Sequence, residues 1–185
     1  LLSISEKTHI NSLGRFSVGG ALGQDKQEEY VVREFRLEDL QNVIYINRTC
    51  LPENYAPEFF VYHFREFPEG FLVAEMNGSV VGYVMTRVDM GFDYYSSHKA
   101  LTEKGHVVSI AALPPARPQG IGAGLLSRES VDVRKRDQKE VYLEVRVSNT
   151  PAINLYHKLG FKIVRRVPRY YADGEDAYVM SLQLE

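Results

Sequence analysis

The 185-residue sequence predicts one mixed α/β layer fold, a mainly antiparallel central sheet flanked by helices. Three observations predict it. Short alternating β-rich runs recur, as in "YVVREF" (30–35) and "EVYLEVRV" (140–147). Between such runs lie stretches with apolar residues at helical spacing, such as Leu37, Leu40, Val43 and Ile44. Asn77-Gly78, set between two apolar runs, is the signature of a type I′ hairpin and so of antiparallel neighbours.

Taken in order, residues 1–29 show no clean period and read as an N-terminal extension, with Leu1, Leu2 and Ile4 as its apolar contacts. Residues 30–185 form the domain. "YVVREF" is the first strand, and the helix that follows it is stopped by Pro52. "LPENYAP" is then a loop, and "PEFFVYHFREFP" (57–68) is a short aromatic-rich helix between two prolines. The hairpin "GFLVAEM-NG-SVVGYVMTRV" comes next. "DMGFDYYSSHKALTEKG" (89–105) reads as a long polar and aromatic connection, and "HVVSIAAL" (106–113) as a buried strand. A glycine-rich segment leads into a helix that ends near Asp137. "EVYLEVRV" is a strand, and "NTPAINLYHKLG" a helix capped by Asn149 and ended by Gly160. "FKIVRRV" and "DAYVMSLQL" are the last strands, joined by "PRYYADGE".

Composition removes several function classes. A net charge of −2 argues against a nucleic-acid binder, which carries a basic face. The single cysteine, Cys50, allows no internal disulfide and fits a reducing compartment. No apolar run approaches the roughly 20 residues that cross a bilayer. The start also lacks the basic head and apolar block of a signal peptide, so the cytoplasm is the expected compartment.

The chemistry concentrates first in "ALPPARPQGIGAGLLSRESVDVRKR" (112–136), where Gly120, Gly122 and Gly124 stand directly ahead of a helix. No Lys-Ser or Lys-Thr follows, which removes a P-loop. Gly120 and Gly122 begin a dinucleotide fingerprint, but Leu125 holds its third position and the preceding hairpin does not suit a βαβ unit. Arg117-Pro118-Gln119-Gly120-Ile121-Gly122 fits a third pattern, Arg/Gln-x-x-Gly-x-Gly/Ala, whose amides and helix dipole receive a pyrophosphate. The plainer reading is that the glycines let the helix pack on the sheet.

Four ordered blocks, "GHVVSIAALPPARPQGIGAGLL", "YLEVRVSNTPAINLYHKLGF", "LPENY" and "YYADGEDAYVM", resemble the GNAT acetyltransferase superfamily, specifically its archaeal and ribosomal-protein amino-terminal acetyltransferases. The resemblance spans nearly everything from Tyr30 onward. It implies acetyl-coenzyme A as co-substrate, its pantetheine arm pairing with the main chain of Ile110, Ala111 and Ala112. Its pyrophosphate would lie on Arg117, Pro118, Gln119, Gly120, Ile121, Gly122 and Ala123, with Asn149 reaching it from the next helix. The sequence departs from the family at Pro118 and Gln119, where basic residues are usual, and at Ala116, where an aromatic is common. Pro118 in particular has no N–H to offer a phosphate.

The same resemblance names the residues that would move protons. Glu53 in "LPENY" would act on the incoming amine, with Tyr55 beside it as a wall for the first substrate residue. Glu144 faces opposite to Leu143 on its strand and stands where related enzymes keep a base; its plainer reading is a surface carboxylate. His106, with an ordinary pKa near 6.5 suited to a relay, would pair with Glu144, although a lone histidine is more often structural. Tyr156 would give a proton to the coenzyme A thiolate, or else only fill the helix–sheet seam. Tyr170 and Tyr171 would hydrogen-bond the peptide over a hairpin turned by Asp173-Gly174. Cys50, His98 and "VRKRDQK" take no role.

The expected activity is acetyl transfer from acetyl-coenzyme A to protein N-terminal α-amines, by direct attack in a ternary complex. A free α-amine, with a pKa of about 7.7–8.0 against about 10.4 for lysine, needs only modest base strength. Acetylation of lysine or of a small-molecule amine, and a non-catalytic acyl-coenzyme A sensor, are the rivals. No metal is expected, and an auxiliary subunit is not indicated.

Overall fold

The computed structural model describes residues 8–10, 15–18, 29–95 and 100–184. Among these, the strands are β1 (Thr8–Ile10), β2 (Arg15–Val18), β3 (Tyr30–Glu34), β4 (Phe71–Met76), β5 (Ser79–Phe92), β6 (Leu101–Ala112), β7 (Glu140–Arg146), β8 (Lys162–Val167) and β9 (Ala177–Gln183). They form one sheet in the order β1-β2-β3-β4-β5-β6-β7-β9-β8. Every neighbouring pair is antiparallel except the parallel pair β6–β7. The helices are α1 (Leu40–Cys50), α2 (Pro57–Glu66), α3 (Ile121–Lys135) and α4 (Thr150–Lys158). This is the mixed α/β class that the sequence predicts.

The strand alternation sorts the core into two layers. Leu72 and Ala74 of β4 join Val84, Val107 and Leu143 beneath α3 and α4, together with Leu125, Leu126 and Tyr156. Phe71 and Val73 point the other way, joining Tyr83, Met85 and Ala111 beneath α1 and α2, with Val43, Ile46 and Phe60. Local chemistry sets the boundaries as read. Asn77 and Gly78 both have positive φ, 51° and 75°, which the type I′ turn requires. Pro57 opens α2, and the Asn149 side chain accepts from the Ala152 amide at 3.3 Å to cap α4.

Residues 89–105 are not the connection that their polarity suggests. β5 runs on to Phe92 and β6 begins at Leu101, so both form the arms of one long hairpin. The polar residues are accommodated by partners rather than by solvent. Buried Lys104 donates to the Phe92 carbonyl at 2.9 Å and lies 3.1 Å from Glu140 Oε1. It also sits 3.4 Å from the centre of the Tyr94 ring, so a carbonyl, a carboxylate and a ring face take the place of water around the buried cation. His98 lies outside the described residues. So do Leu1, Leu2 and Ile4; within residues 1–29, β1 and β2 extend the sheet beyond β3.

Candidate active site

A cleft opens where β6 and β7 part. The two strands pair only from Gly105 to Val107 against Val141 to Leu143. At that level the β5–β6 register shifts between Met85 and Thr86, leaving Val108 as the extra residue. Such a bulge bends its strand, and β6 turns away from β7. The Leu113 amide donates to the Val81 carbonyl at 2.9 Å, which fixes the alternation along β6. Leu113 and Ala111 therefore direct their backbone groups at β5, while Ile110 and Ala112 direct theirs into the cleft. Of the three residues expected to offer main chain there, Ala111 instead seals the core.

One end of the cleft is backbone. After a 3-10 turn over Pro114–Gln119, Gly120 adopts a left-handed conformation with φ 76° and α3 begins. The first intrahelical bond runs from the Gly124 amide to the Gly120 carbonyl, 3.0 Å, so the amides of Ile121, Gly122 and Ala123 precede the ladder. Three orphan N–H groups at a helix N-terminus form an anion site. The glycines turn out to have different reasons. Gly120 supplies the positive φ, whereas a Cβ on Gly124 would lie 2.3 Å from the Tyr30 hydroxyl. That hydroxyl donates to the Gly120 carbonyl at 3.2 Å and ties the loop to β3. A Cβ on Gly122 would meet a single neighbour, the side-chain tip Leu155 Cδ2 at 3.1 Å, which must give by a few tenths of an ångström. Ile121 is fully buried, and Arg117 donates to the Ala112 carbonyl at 3.0 Å. Pro118 is exposed and Gln119 half-buried. Asn149, as the α4 cap, already has its carbonyl oxygen engaged.

The other end is side chains. Glu144 and His106 come together as the sequence led one to expect, with Glu144 Oε2 2.7 Å from His106 Nε2. Glu53 reaches the same face of β7, where Arg146 Nη2 donates to Glu53 Oε1 at 2.5 Å. Arg146 also binds Asp173 at 2.8 Å and Glu175 at 2.7 Å, and its guanidinium stacks 4.1 Å from the Tyr171 ring. The loop between α1 and α2 and the loop between β8 and β9 are thereby joined through one arginine. Glu144 and Arg146 are two residues apart on one strand face, roughly 7 Å at strand rise, so both carboxylates flank one mouth. Tyr55 stacks on Phe59 and donates to the bulged Val108 carbonyl at 3.4 Å. Tyr170 is exposed and lies edge-on to Tyr171. Burial raises the phenols of Tyr55, Tyr170 and Tyr171 above their ordinary pKa, and Glu144 or Glu53 adds to it.

Tyr156 lies on α4, its ring buried beside Phe161. Burial pushes its phenol up to about 12. Its hydroxyl makes no hydrogen bond among the described residues, so the proton it carries at neutral pH is uncommitted.

Sequence reasoning missed Arg87, Asp89, Tyr142 and Arg146. Asp89 Oδ2 lies 2.9 Å from His106 Nδ1 and accepts from Tyr142 at 3.0 Å and Arg87 at 3.1 Å. The alternation of Arg87 and Asp89 was the available signal, hidden once the stretch was read as a loop. Among the described residues, no group of three or more His, Cys, Asp or Glu is placed to hold a metal, and no helix is long and apolar enough to cross a membrane.

Comparison with known proteins bears on this cleft. A family model described as acetyltransferase (GNAT) family matches residues 40–161. The chain is 52% identical over 160 residues to an N-alpha-acetyltransferase of Sulfurisphaera tokodaii, covering 86% of this chain and 96% of the relative. Ard1 from Thermoplasma volcanium superimposes with a TM-score of 0.74 at 30% identity, over 84% of this chain and 98% of that one. Chaetomium thermophilum Naa20 in complex with a bisubstrate analogue gives 0.73 at 32% identity, over 83% and 86%.

Proposed function

The chain belongs to the acetyltransferase (GNAT) family, and from that premise we propose that it acetylates the α-amine at protein N-termini, using acetyl-coenzyme A. One observation carries the residue-level reading. The opening between β6 and β7 has the three free N-terminal amides of α3 on one side and the Glu144–His106 pair, 2.7 Å apart, on the other.

The residues present suit the co-substrate. The amides of Ile121, Gly122 and Ala123 and the α3 dipole receive its pyrophosphate, with Pro118 contributing no donor. Ile110 and the Ala112 amide offer main chain to its amide-bearing arm, the Ala112 carbonyl being taken by Arg117. Acetyl-coenzyme A supplies the acetyl group as a thioester. Tyr55, Tyr170 and Tyr171 hold the peptide so that its amine reaches that group. As the C–N bond forms and the C–S bond breaks, Glu144 with His106 removes the amine proton and the Tyr156 hydroxyl returns one to sulfur. Glu53, held by Arg146, orients the amine from the opposite loop.

An α-amine with a pKa of about 7.7–8.0 is partly neutral at pH 7, so a weakly basic carboxylate–histidine pair suffices, whereas lysine near 10.4 would demand much more. The single cysteine supports the cytoplasm as its compartment. Radiolabelled acetyl-coenzyme A offered with paired peptides, one with a free and one with a blocked amino terminus and each containing lysine, tests the reading. Label should enter only the free-amine peptide. Equal labelling of the blocked peptide would identify a lysine acetyltransferase, and binding without any transfer a sensor.

A further inference from the structure

Asp89 belongs to no part of the mechanism above, yet it is among the most highly coordinated polar groups near the cleft. It projects from β5 on the same sheet face as Arg87, His106, Tyr142 and Glu144. In the register, His106 stands directly opposite both Arg87 on β5 and Tyr142 on β7. The imidazole is flanked by a Tyr142 ring stacked at 4.4 Å with an interplanar angle of 5°. Its orientation is therefore fixed before any hydrogen bond is considered. Each ring nitrogen then meets a carboxylate, Nδ1 at Asp89 and Nε2 at Glu144.

Asp89 resolves which nitrogen carries the proton. Burial disfavours its charge, but the Arg87 and Tyr142 hydrogen bonds and the charges of Arg87 and His106 outweigh that and keep its carboxyl below the usual range. Arg87 Nε also lies 2.9 Å from Oδ1. An ionised carboxylate only accepts, so Nδ1 must be the donor.

We propose that Asp89, held by Arg87 and Tyr142, is a positioning residue that fixes His106 with its proton on Nδ1 and aims a basic Nε2 at Glu144. The inference rests on the acetyltransferase reading for its catalytic consequence, though not for the tautomer itself. Glu144 takes the proton from the attacking amine and passes it to Nε2; the resulting imidazolium is neutralised by Asp89 and then releases the proton to solvent. The 2.7 Å separation is a hydrogen-bond distance and so the path along which the proton passes between Glu144 and Nε2. A carboxylate that fixes a histidine tautomer from its far nitrogen is a recurring device. The charged and titratable groups around the relay are Arg87 and Asp89 from β5, Lys104 from β6 and Tyr142 and Glu144 from β7. His63 from α2, Tyr94, and Tyr55 and Tyr170 from the loops complete the surroundings.

Nitrogen-15 NMR of histidine-labelled wild-type protein, across neutral pH and without substrate, reads the tautomer directly. His106 should show a proton-bearing Nδ1 throughout, and Asp89→Asn should shift the neutral ring toward Nε2–H. In the peptide assay, Asp89→Asn should lower kcat by about 10- to 100-fold with the KM for acetyl-coenzyme A within about twofold. Loss of its negative charge should also move the acid limb of kcat/KM to lower pH. Tyr142→Phe removes one donor to Asp89 and should lower kcat by roughly three- to tenfold. A wild-type spectrum with the proton on Nε2 alone would overturn the proposal, as would an Asp89→Asn enzyme with kcat and acid limb unchanged. Absence of any acetyl transfer in the wild type would remove the catalytic reading while leaving the NMR result to decide the tautomer.

Discussion

At the α3 end of the cleft, the contacts offered to a ligand are main-chain amides, set by one left-handed glycine and a helix start. At the Glu144 end they are side chains from the α1–α2 loop, β5, β6, β7 and the β8–β9 loop, each fixed by another side chain. The two ends consequently fail in different ways. A backbone site tolerates loss of neighbouring side chains but not a new atom in its space. A side-chain relay keeps its shape when one atom is replaced and loses its chemistry instead.

Tyr156, where α4 meets the sheet, gives the largest expected effect and the sharpest form of that contrast. Tyr156→Phe keeps the buried ring and removes only a hydroxyl that nothing else in the described structure uses. We expect kcat to fall by about 10²–10⁴-fold, the range for loss of a general acid or base, with little change in melting temperature. A fall below about threefold, with chemistry rate-limiting, would make Tyr156 a core aromatic and nothing more.

For the backbone end, Gly122→Asp is the counterpart. Its Cβ meets only the mobile tip of Leu155, so folding should survive, while the carboxylate enters the anion site. Calorimetry should show coenzyme A affinity falling by about 100-fold or more, and Gln119→Ala changing it by less than about threefold. Unchanged affinity in Gly122→Asp would move the phosphates elsewhere. Gly124→Ala should fail differently, by destabilising the fold through the Tyr30 contact.

The same contrast explains what could be read in advance. The succession of elements from Tyr30, the Asn77-Gly78 turn and the glycine loop are local signals, carried by residues adjacent in sequence. Glu144 and His106 were reachable because the family resemblance implies both positions, strand alternation adding only the face of Glu144. Asp89 and Arg146 were not, since their meaning lies in partners 17 residues away for Asp89 and 93 for the Glu53–Arg146 pair. Polar residues at 89–105 look like a loop until Glu140 arrives from β7, and Tyr94 folds over from the same stretch, to satisfy Lys104.

Two carboxylates at one mouth raise the question of shared labour. Glu53 is bound by an arginine and Glu144 by a histidine, so only Glu144 has a partner able to carry a proton onward. Glu53 nevertheless lies in the loop that lines the first substrate residue. Glu53→Gln should therefore reduce kcat/KM most for peptides with a small first residue such as Ser. Glu144→Gln and His106→Ala should act most on Met-initiated ones. Differences of about tenfold between the two peptides are expected. Equal proportional losses in all three variants would replace divided roles with one relay.

The smallest effect tests whether the two ends are independent. Glu129, on α3, is 1% exposed and pairs with Arg136 at 3.0 Å, yet its Oε2 and the nearby Thr86 Oγ1 have no hydrogen-bond partner. Burial raises its carboxyl to about 7 against the ordinary 4.5, an effect that Arg136 opposes and Asp132 reinforces. A raised carboxyl pKa stabilises the fold fully below about pH 4.5, where the group is neutral folded or unfolded. That contribution is lost progressively as pH rises toward 7 and stays lost above it. At 1.36 kcal/mol per unit, the ionised carboxylate costs up to about 3 kcal/mol at pH 8. Glu129→Gln keeps the shape and cannot ionise, so its melting temperature should exceed wild type at pH 8 by up to about 6–12 °C, at about 2–4 °C per kcal/mol. Near pH 4.5 the two proteins should melt together. Because the carboxyl lies beneath α3 and away from the Glu144 relay, kcat and its pH limbs should stay in place. A pH-independent difference in melting would refute the buried titration, and a moved kinetic limb would show that the two ends are coupled through α3.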